Sequence, residues 1–281
     1  MIVKGKSTKS GESVSAGFAL RLRTNIGILS RAARITCIGA AMLAGSSDGA
    51  PSQAQERVSP AGRCLAANLD VSLGAQLPRT AARLKSGEPL KIVAIGSSST
   101  VGLWVLTSAA TYPEVMRREL LRLRSNAMIK VINSGRVGDT IPDNIARFER
   151  DVFAYAPDLV IWQLGTNDVA WGGRPDQRLK SSVVEGVRAL KAASVDVVLM
   201  DLQYAPMVLA SASYSTMEGI IADVAKQERV GLFSRFALMR NSIDAGVAQN
   251  ALVTWDGLHN TADGYDCIGR ALALAISKSV R

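Results

Sequence analysis

The stretch LKIVAIGSSST, residues 90–100, joins an apolar run to a polar turn. Apart from Lys91, residues 90–95 are aliphatic, and such runs are typical of a strand that is buried on both faces of a sheet. A glycine, three serines and a threonine follow directly. The stretch therefore predicts an interior strand whose carboxyl end opens into a polar loop.

Further apolar runs of this kind occur along the chain, at residues 129–133, 159–164, 195–200 and 230–233. Amphipathic helical patterns separate them, for example Met116, Leu120 and Leu123 after Pro113. Strands that alternate with helices predict an α/β fold, a three-layer α/β/α sandwich around a doubly wound parallel sheet. Ligands bind such sheets at the carboxyl ends of the strands, so the loops after these runs are candidates for function.

The formal net charge of the 281 residues is +9. Most of this excess lies in the first 34 residues, which hold seven bases and one acid. The rest of the chain is close to balanced and shows no clustered basic face of the kind that nucleic-acid binding needs. We therefore expect no nucleic-acid partner.

The first part of the chain has the pattern of an export signal. A basic segment precedes the apolar run at residues 35–45, and small residues follow it. Residues 1–45 are thus predicted to be a signal peptide or an N-terminal anchor, residues 46–60 a linker, and residues 61–281 the functional domain. No apolar run approaches the roughly 20 residues needed to span a bilayer, so we expect no stable transmembrane span and an exported, periplasmic or secreted protein.

Three cysteines are present, Cys37, Cys64 and Cys267. Cys37 would leave with a cleaved signal, and the other two would meet an oxidising compartment, where pairing is permitted. Because the two ends of a domain often lie close together, we predict a Cys64–Cys267 disulfide. The chain has no metal-ligand spacing, and we expect neither a metal nor a cofactor.

Four polar loops hold the candidate chemistry, at residues 96–100, 133–140, 165–168 and 256–259. Each has an ordinary alternative, because serine-rich turns, glycine-rich loops and a histidine near a helix start are common. Together they supply a hydroxyl, several amide donors, a carboxylate and His259, the only histidine of the chain. Acyl transfer needs these groups: a serine activated by a base, a carboxylate behind the base, and donors for the oxyanion.

In these four blocks the chain resembles the SGNH hydrolases, also called the GDSL esterase/lipase family, across roughly residues 88–280. The resemblance implies a flavodoxin-like fold and hydrolysis of carboxylic esters without a cofactor. It assigns the nucleophile to Ser98, the general base to His259 and the orienting acid to Asp256. The oxyanion donors would be the backbone amides of Ser98 and Gly138 and the side chain of Asn167.

The first block departs from the family pattern, because Ser97 and Ser99 stand where the family has aspartate and leucine. Neither position belongs to the triad, so activity is not put in doubt. A Gly-x-Ser-x-Gly pattern is also missing at this block, which argues against the nucleophile elbow of the α/β-hydrolases.

The substrate is predicted less sharply than the reaction. Residues 101–111 are apolar but short, with no long lid, and this favours short-chain acyl esters on small molecules or glycans. Thioesterase and lysophospholipase specificities remain open, as does a catalytically silent module that binds acylated glycans. Trp104 and Trp171 are candidates for lining a pocket and residues 203–206 for its wall, whereas Trp162 is expected to pack inside a strand and Arg136 to be solvated.

Overall fold

The structure is a computed structural model that describes residues 58–280. The predicted signal or anchor segment, Cys37 and most of the predicted linker lie outside the described residues. Pro60, the last residue of that linker, is the first residue of helix α1. None of the helices in the described part of the chain is long and apolar enough to cross a membrane.

A parallel sheet of five strands forms the centre of the described domain. The strands are β1 (Leu90–Gly96), β2 (Ile129–Gly135), β3 (Leu159–Gln163), β4 (Asp196–Met200) and β5 (Gly231–Phe233). Their order is β2-β1-β3-β4-β5, so β1 lies between β2 and β3, where the direction of winding reverses. The predicted α/β class and doubly wound parallel sheet are confirmed, with strand ends within two residues of the predicted ones.

Helices cover both faces of the sheet and fill its connections. They are α1 (Pro60–Ala66), α2 (Pro78–Ser86), α3 (Ser98–Val101), α4 (Tyr112–Leu123), α5 (Ile141–Ala146), α6 (Phe148–Asp151), α7 (Thr166–Ala170), α8 (Gln177–Ala192), α9 (Pro206–Leu209), α10 (Tyr214–Glu228), α11 (Arg235–Asp244), α12 (Gln249–Leu252) and α13 (Ala262–Lys278). Single 3₁₀ turns lie at Ser108–Ala110 and Phe153–Tyr155. Thr261 caps α13, since its hydroxyl accepts from the backbone N–H of Gly264.

The core lies on both sides of β1 and β3, whose aliphatic side chains are buried. Trp162 on β3 is fully buried, packs edge-on against Phe148 and donates its indole N–H to Asn144 Oδ1 at 3.0 Å. Gly186 on α8 fits beside this ring, because a Cβ there would come within 2.6 Å of its Cη2 atom. Trp162 therefore packs inside the strand, as predicted.

A disulfide joins Cys64 on α1 to Cys267 on α13, as predicted, with a Cα–Cα distance of 5.9 Å. Both cysteines are fully buried. The bridge closes a loop of 203 residues, and by the loop-entropy model a loop of this length contributes about 4–5 kcal/mol to stability. It clasps the first helix of the described domain to the last.

Candidate active site

The predicted nucleophile loop forms a tight turn between β1 and the single-turn helix α3, which begins at Ser98. Gly96 ends the strand close to the side chain of Gln163, and a Cβ on Gly96 would come 2.7 Å from Gln163 Oε1. Ser98 follows with 5% of its surface exposed. The turn thus presents one hydroxyl at the carboxyl edge of the sheet.

Gln163, the last residue of β3, braces this turn from the neighbouring strand. Its Oε1 atom accepts hydrogen bonds from Ser97 N at 2.9 Å, Ser97 Oγ at 3.0 Å and Thr100 Oγ1 at 3.2 Å. Ser97, where the family has aspartate, thus uses its hydroxyl to hold the turn. Gln163 was not predicted from the sequence. The one sequence feature that marks it is its polarity within an otherwise apolar strand.

The lone histidine meets the turn from a second loop, residues 254–260. Ser98 Oγ lies 2.8 Å from His259 Nε2, and His259 Nδ1 lies 2.6 Å from Asp256 Oδ2. The loop closes on itself, because Thr254 N donates to the His259 carbonyl at 2.8 Å and Val253 and Asn260 form a β-bridge. The structure therefore brings all the predicted triad positions into one hydrogen-bonded series, the Ser98–His259–Asp256 chain.

Donors from its own loop surround the Asp256 carboxylate. Oδ1 accepts from Thr254 Oγ1 at 2.7 Å, Leu258 N at 2.9 Å and His259 N at 3.0 Å. Partial burial acts to raise the pKa of this carboxyl, but the hydrogen bonds from Thr254, His259 and Leu258 outweigh it and hold the pKa well below its usual value. Asp256 is therefore a carboxylate at neutral pH, suited to stabilise a charged imidazole.

The predicted oxyanion donors lie in the loops after β2 and β3. Gly138 has φ 86°, a left-handed conformation that favours glycine. Asn167, in the first turn of α7, donates one N–H of its amide to the Asp139 carbonyl at 2.9 Å, so the other N–H is left for a ligand. Among residues 58–280, the backbone N–H groups of Ser98 and Gly138 donate to no protein acceptor. The Asn167–Asp139 hydrogen bond thus joins the loops after β2 and β3. The remaining N–H of Asn167 and the backbone N–H groups of Ser98 and Gly138 are unpaired donors in the loops at the carboxyl edge of the sheet.

Next to Asn167, the Asp168 side chain fastens the third loop to α5. Its Oδ1 atom accepts from Ile141 N at 3.1 Å. Burial raises the pKa of this carboxyl to about 6, and the Ile141 amide partly opposes that rise. Asp168 therefore fixes the backbone that carries Asn167.

Arg147, which the sequence reasoning also missed, anchors the loop after β2. Its guanidinium is buried and donates to Asp139 Oδ2 at 2.6 Å, to Asp151 Oδ2 at 3.0 Å, and to the carbonyls of Ser134 at 2.7 Å and Gly96 at 3.0 Å. It thereby joins the ends of β1 and β2 to the Gly138–Asp139 turn. A single arginine has no local sequence pattern that marks such a role.

Other predicted pocket residues have different surroundings. Gln203 is fully buried, accepts from Thr166 Oγ1 at 2.8 Å and donates to the Leu258 carbonyl at 3.1 Å, so it braces the histidine loop rather than lining a pocket wall. Trp171 is exposed at the end of α7. Arg136 is half-exposed, 3.7 Å from Asp151, and is solvated as expected.

Trp104 lies beside Asp256, the carboxylate of the Ser98–His259–Asp256 chain. Its indole N–H donates to Asp256 Oδ2 at 2.7 Å, and its ring stands edge-on to Trp255 with centroids 5.5 Å apart. Both rings are largely open to solvent. Within residues 58–280, no cluster of His, Cys, Asp and Glu side chains has the arrangement of a metal site.

Comparison with known proteins places this chain in a family. Residues 63–281 match the model of the non-GDSL lipase-like family. An arylesterase of Vibrio mimicus is 24% identical over 189 residues, which cover 67% of this chain and 88% of the relative.

Two solved esterases share the fold. The two-domain esterase CEX, active on acetylated mannans, superposes with a TM-score of 0.63 at 21% identity over 75% of this chain, which spans 56% of that protein. Axe2, an acetylxylan esterase from Geobacillus stearothermophilus, superposes with a TM-score of 0.57 at 22% identity over 66% of this chain and 94% of its own. Ser97 and Ser99, which replace the aspartate and leucine of the GDSL pattern, agree with a family described as non-GDSL. The predicted resemblance is confirmed, and the chain belongs to the non-GDSL lipase-like family.

Proposed function

We propose that this protein is a carboxylic ester hydrolase in which Ser98 is the nucleophile, His259 the general base and Asp256 the orienting acid. The observation that carries the proposal is the Ser98–His259–Asp256 chain, with contacts of 2.8 Å and 2.6 Å. A serine hydroxyl is a weak nucleophile until a base takes its proton, and a neutral imidazole titrates in the range where it can do so at neutral pH.

In the first half of the reaction, His259 Nε2 accepts the proton of Ser98 as Oγ attacks the acyl carbon. Nδ1–H donates to Asp256 Oδ2, which selects this tautomer and stabilises the imidazolium that forms. The tetrahedral oxyanion takes hydrogen bonds from the amides of Ser98 and Gly138 and from the Asn167 side chain. When the intermediate collapses, His259 returns the proton to the leaving alcohol.

In the second half, water replaces the alcohol. His259 Nε2 removes a proton from this water, whose oxygen attacks the acyl carbon on Ser98. Collapse of the second intermediate breaks the bond to Ser98 Oγ, which takes the proton back from His259, and the free acid leaves.

We further propose that the acyl group is short and that an acylated glycan is the substrate class. The segment between α3 and α4 holds only a single 3₁₀ turn, so it offers no long apolar cover for a fatty chain. Trp104 and Trp255 present exposed aromatic rings beside Asp256, and such rings suit the apolar face of a sugar. The solved relatives CEX and Axe2 are esterases of acetylated mannans and acetylxylan, which supports this choice.

A panel of p-nitrophenyl esters from acetyl to palmitoyl tests the reaction and the chain length together. We expect a burst of p-nitrophenol with the acetyl ester and a kcat/KM that falls beyond butyryl. Ser98→Ala is the matched control and must abolish the burst. A higher kcat/KM on palmitoyl than on butyryl esters would favour a lysophospholipase specificity, a preference for acyl thioesters would favour a thioesterase, and no turnover by purified wild-type protein would favour a silent glycan-binding module.

A further inference from the structure

Trp104 has an unusual backbone conformation for a bulky residue, with φ 72°. Only a few non-glycine residues occupy this left-handed region, and for a large side chain it is an outlier. Three other described non-glycine residues share it, Ala156, Ser194 and Arg229. Trp104 is the one of these that hydrogen-bonds to the Ser98–His259–Asp256 chain. Such conformations persist where their surroundings hold them, and they cluster at functional sites.

Contacts on both sides of Trp104 hold the indole in place. Before it, Gly102 has φ 85° and approaches Thr111 so closely that no side chain fits there, and the Tyr265 hydroxyl donates to the Leu103 carbonyl at 3.4 Å. The Trp104 ring itself packs edge-on against Trp255 from the histidine loop. The position of the indole N–H is therefore set by the fold around it.

The two oxygens of Asp256 have different partners. Oδ1 accepts only from residues 254–260, its own loop, whereas Oδ2 accepts from His259 Nδ1 at 2.6 Å and Trp104 Nε1 at 2.7 Å. Within the described chain, Trp104 is thus the one donor to this carboxylate from outside the loop. A second donor on Oδ2 fixes the plane of the carboxylate and draws electron density away from the oxygen that faces the imidazole.

We propose that Trp104 is a positioning residue for ester hydrolysis, which holds Asp256 Oδ2 against His259 Nδ1 through its indole N–H. The inference rests on the function proposed above. The titratable groups that face Asp256 are His259 from the same loop and Tyr265 from α13. Burial raises the pKa of Tyr265 above its usual value, so that ring stays neutral during an assay at ordinary pH. Residues 102–107, which carry Trp104, bring no charged side chain.

The sharpest test replaces one atom. Incorporation of β-(3-benzothienyl)alanine at position 104 keeps the ring outline but puts sulfur in place of N–H. Without that donor the carboxylate attracts the imidazolium proton more strongly, so the acid limb of kcat/KM on p-nitrophenyl acetate should move to higher pH by about half a unit or more. We expect kcat to fall about 3–10-fold, on the scale of one lost charge-assisted hydrogen bond, with KM unchanged.

Two further variants control for packing and folding. Trp104→Phe also removes the N–H and should reproduce the shift. Tyr155→Phe removes a hydroxyl from an exposed ring in the 3₁₀ turn Phe153–Tyr155, which has no hydrogen bond to Asp256, and should keep the wild-type profile. A fall in kcat without movement of the acid limb in either position-104 variant would assign Trp104 a purely structural role and overturn the proposal.

A second readout does not require turnover. Because His259 is the only histidine, the ¹⁵N-histidine spectrum of untagged protein reports this ring alone. We expect the titration midpoint of the ring to move upward in the benzothienyl protein, in parallel with the kinetic limb. An unchanged midpoint would refute the role of Trp104, whereas failure of the ester hydrolase proposal would be seen separately, as normal turnover by His259→Ala.

Discussion

The histidine loop and the nucleophile turn are held in opposite ways. In residues 254–260, most hydrogen bonds that shape Asp256 and His259 come from the loop itself, through Thr254, Leu258 and the backbone of His259, and Trp104 adds one donor from outside. The turn at Ser98 depends instead on Gln163 from β3, 66 residues away from Ser97 in sequence. Because its contacts are local, the histidine loop has a short sequence pattern. The shape of the nucleophile turn depends on a distant residue, so it is set only when the sheet forms.

The largest effect is expected where the two regions meet, at the Ser98–His259 contact. Ser98→Ala and His259→Ala should each lower kcat on an activated ester by about 10⁴–10⁶-fold, by analogy with other triads. The double variant should be little worse than either single variant, because the two residues act as a unit. Steady-state kinetics with circular dichroism as the folding control checks this, and additive losses in the double variant would contradict it.

The next largest effect is expected from the distant anchoring of the loop after β2. Arg147→Met leaves the Asp139 and Asp151 carboxylates without their buried partner, so the free energy of unfolding should fall by about 3–5 kcal/mol. Arg136→Met is the matched control, since that arginine is half-exposed and 3.7 Å from Asp151, and it should change stability by less than about 0.5 kcal/mol. Equal urea midpoints for the two variants would show that Arg147 is not an anchor.

Removal of one oxyanion donor should cost less than loss of the nucleophile. Asn167→Ala takes away the N–H left free by the bond to Asp139, and kcat should fall about 10²–10³-fold with little change in KM. Single-turnover acylation rates measure the step directly. A change confined to KM would mean that Asn167 binds the ground state instead.

The brace of the nucleophile turn should have a moderate effect. Gln163→Leu leaves the Ser97 amide and hydroxyl without their acceptor and removes one of the two partners of the Thr100 hydroxyl, so stability should fall by about 1–3 kcal/mol. We expect kcat to fall about tenfold as Ser98 loses its placement. Gln177→Leu on the exposed start of α8 is the control. Unfolding curves and kcat are measured for both variants. Equal stability and equal kcat for Gln163→Leu and Gln177→Leu would show that Gln163 does not brace the turn.

The smallest effect is expected in the histidine loop, residues 254–260, and it depends on pH. The lowered pKa of Asp256 contributes stability that is present above the ordinary pKa of aspartate and is lost as pH falls through the folded-state value. Thr254→Val removes the largest hydrogen-bond contribution, so its acid-unfolding midpoint should lie at higher pH than that of wild type. Thr216→Val on α10 is the control, and coincident acid-unfolding curves for wild type and Thr254→Val would contradict this assignment.

The contrast also explains what the sequence alone could predict. The sheet followed from apolar runs that alternate with helical patterns. The roles of Ser98, Asp256 and His259 followed from the resemblance of four polar loops to a known family. Gln163 and Arg147 are single polar residues whose partners come from other strands, so nothing local marked them. Trp104 was recognised as an aromatic beside the site, but its donation to Asp256 depends on a left-handed backbone that a sequence pattern does not show.

The central claim is that His259 activates Ser98 and not Ser97 or Ser99. Covalent labelling tests this claim most directly. A fluorophosphonate probe should modify wild-type protein once, and tandem mass spectrometry of the tryptic peptide of residues 92–117 should place the adduct on Ser98. Ser99→Ala should label at the same site and a similar rate, whereas Ser98→Ala and His259→Ala should not label. An adduct on Ser97 or Ser99, or undiminished labelling of folded His259→Ala, would contradict the account.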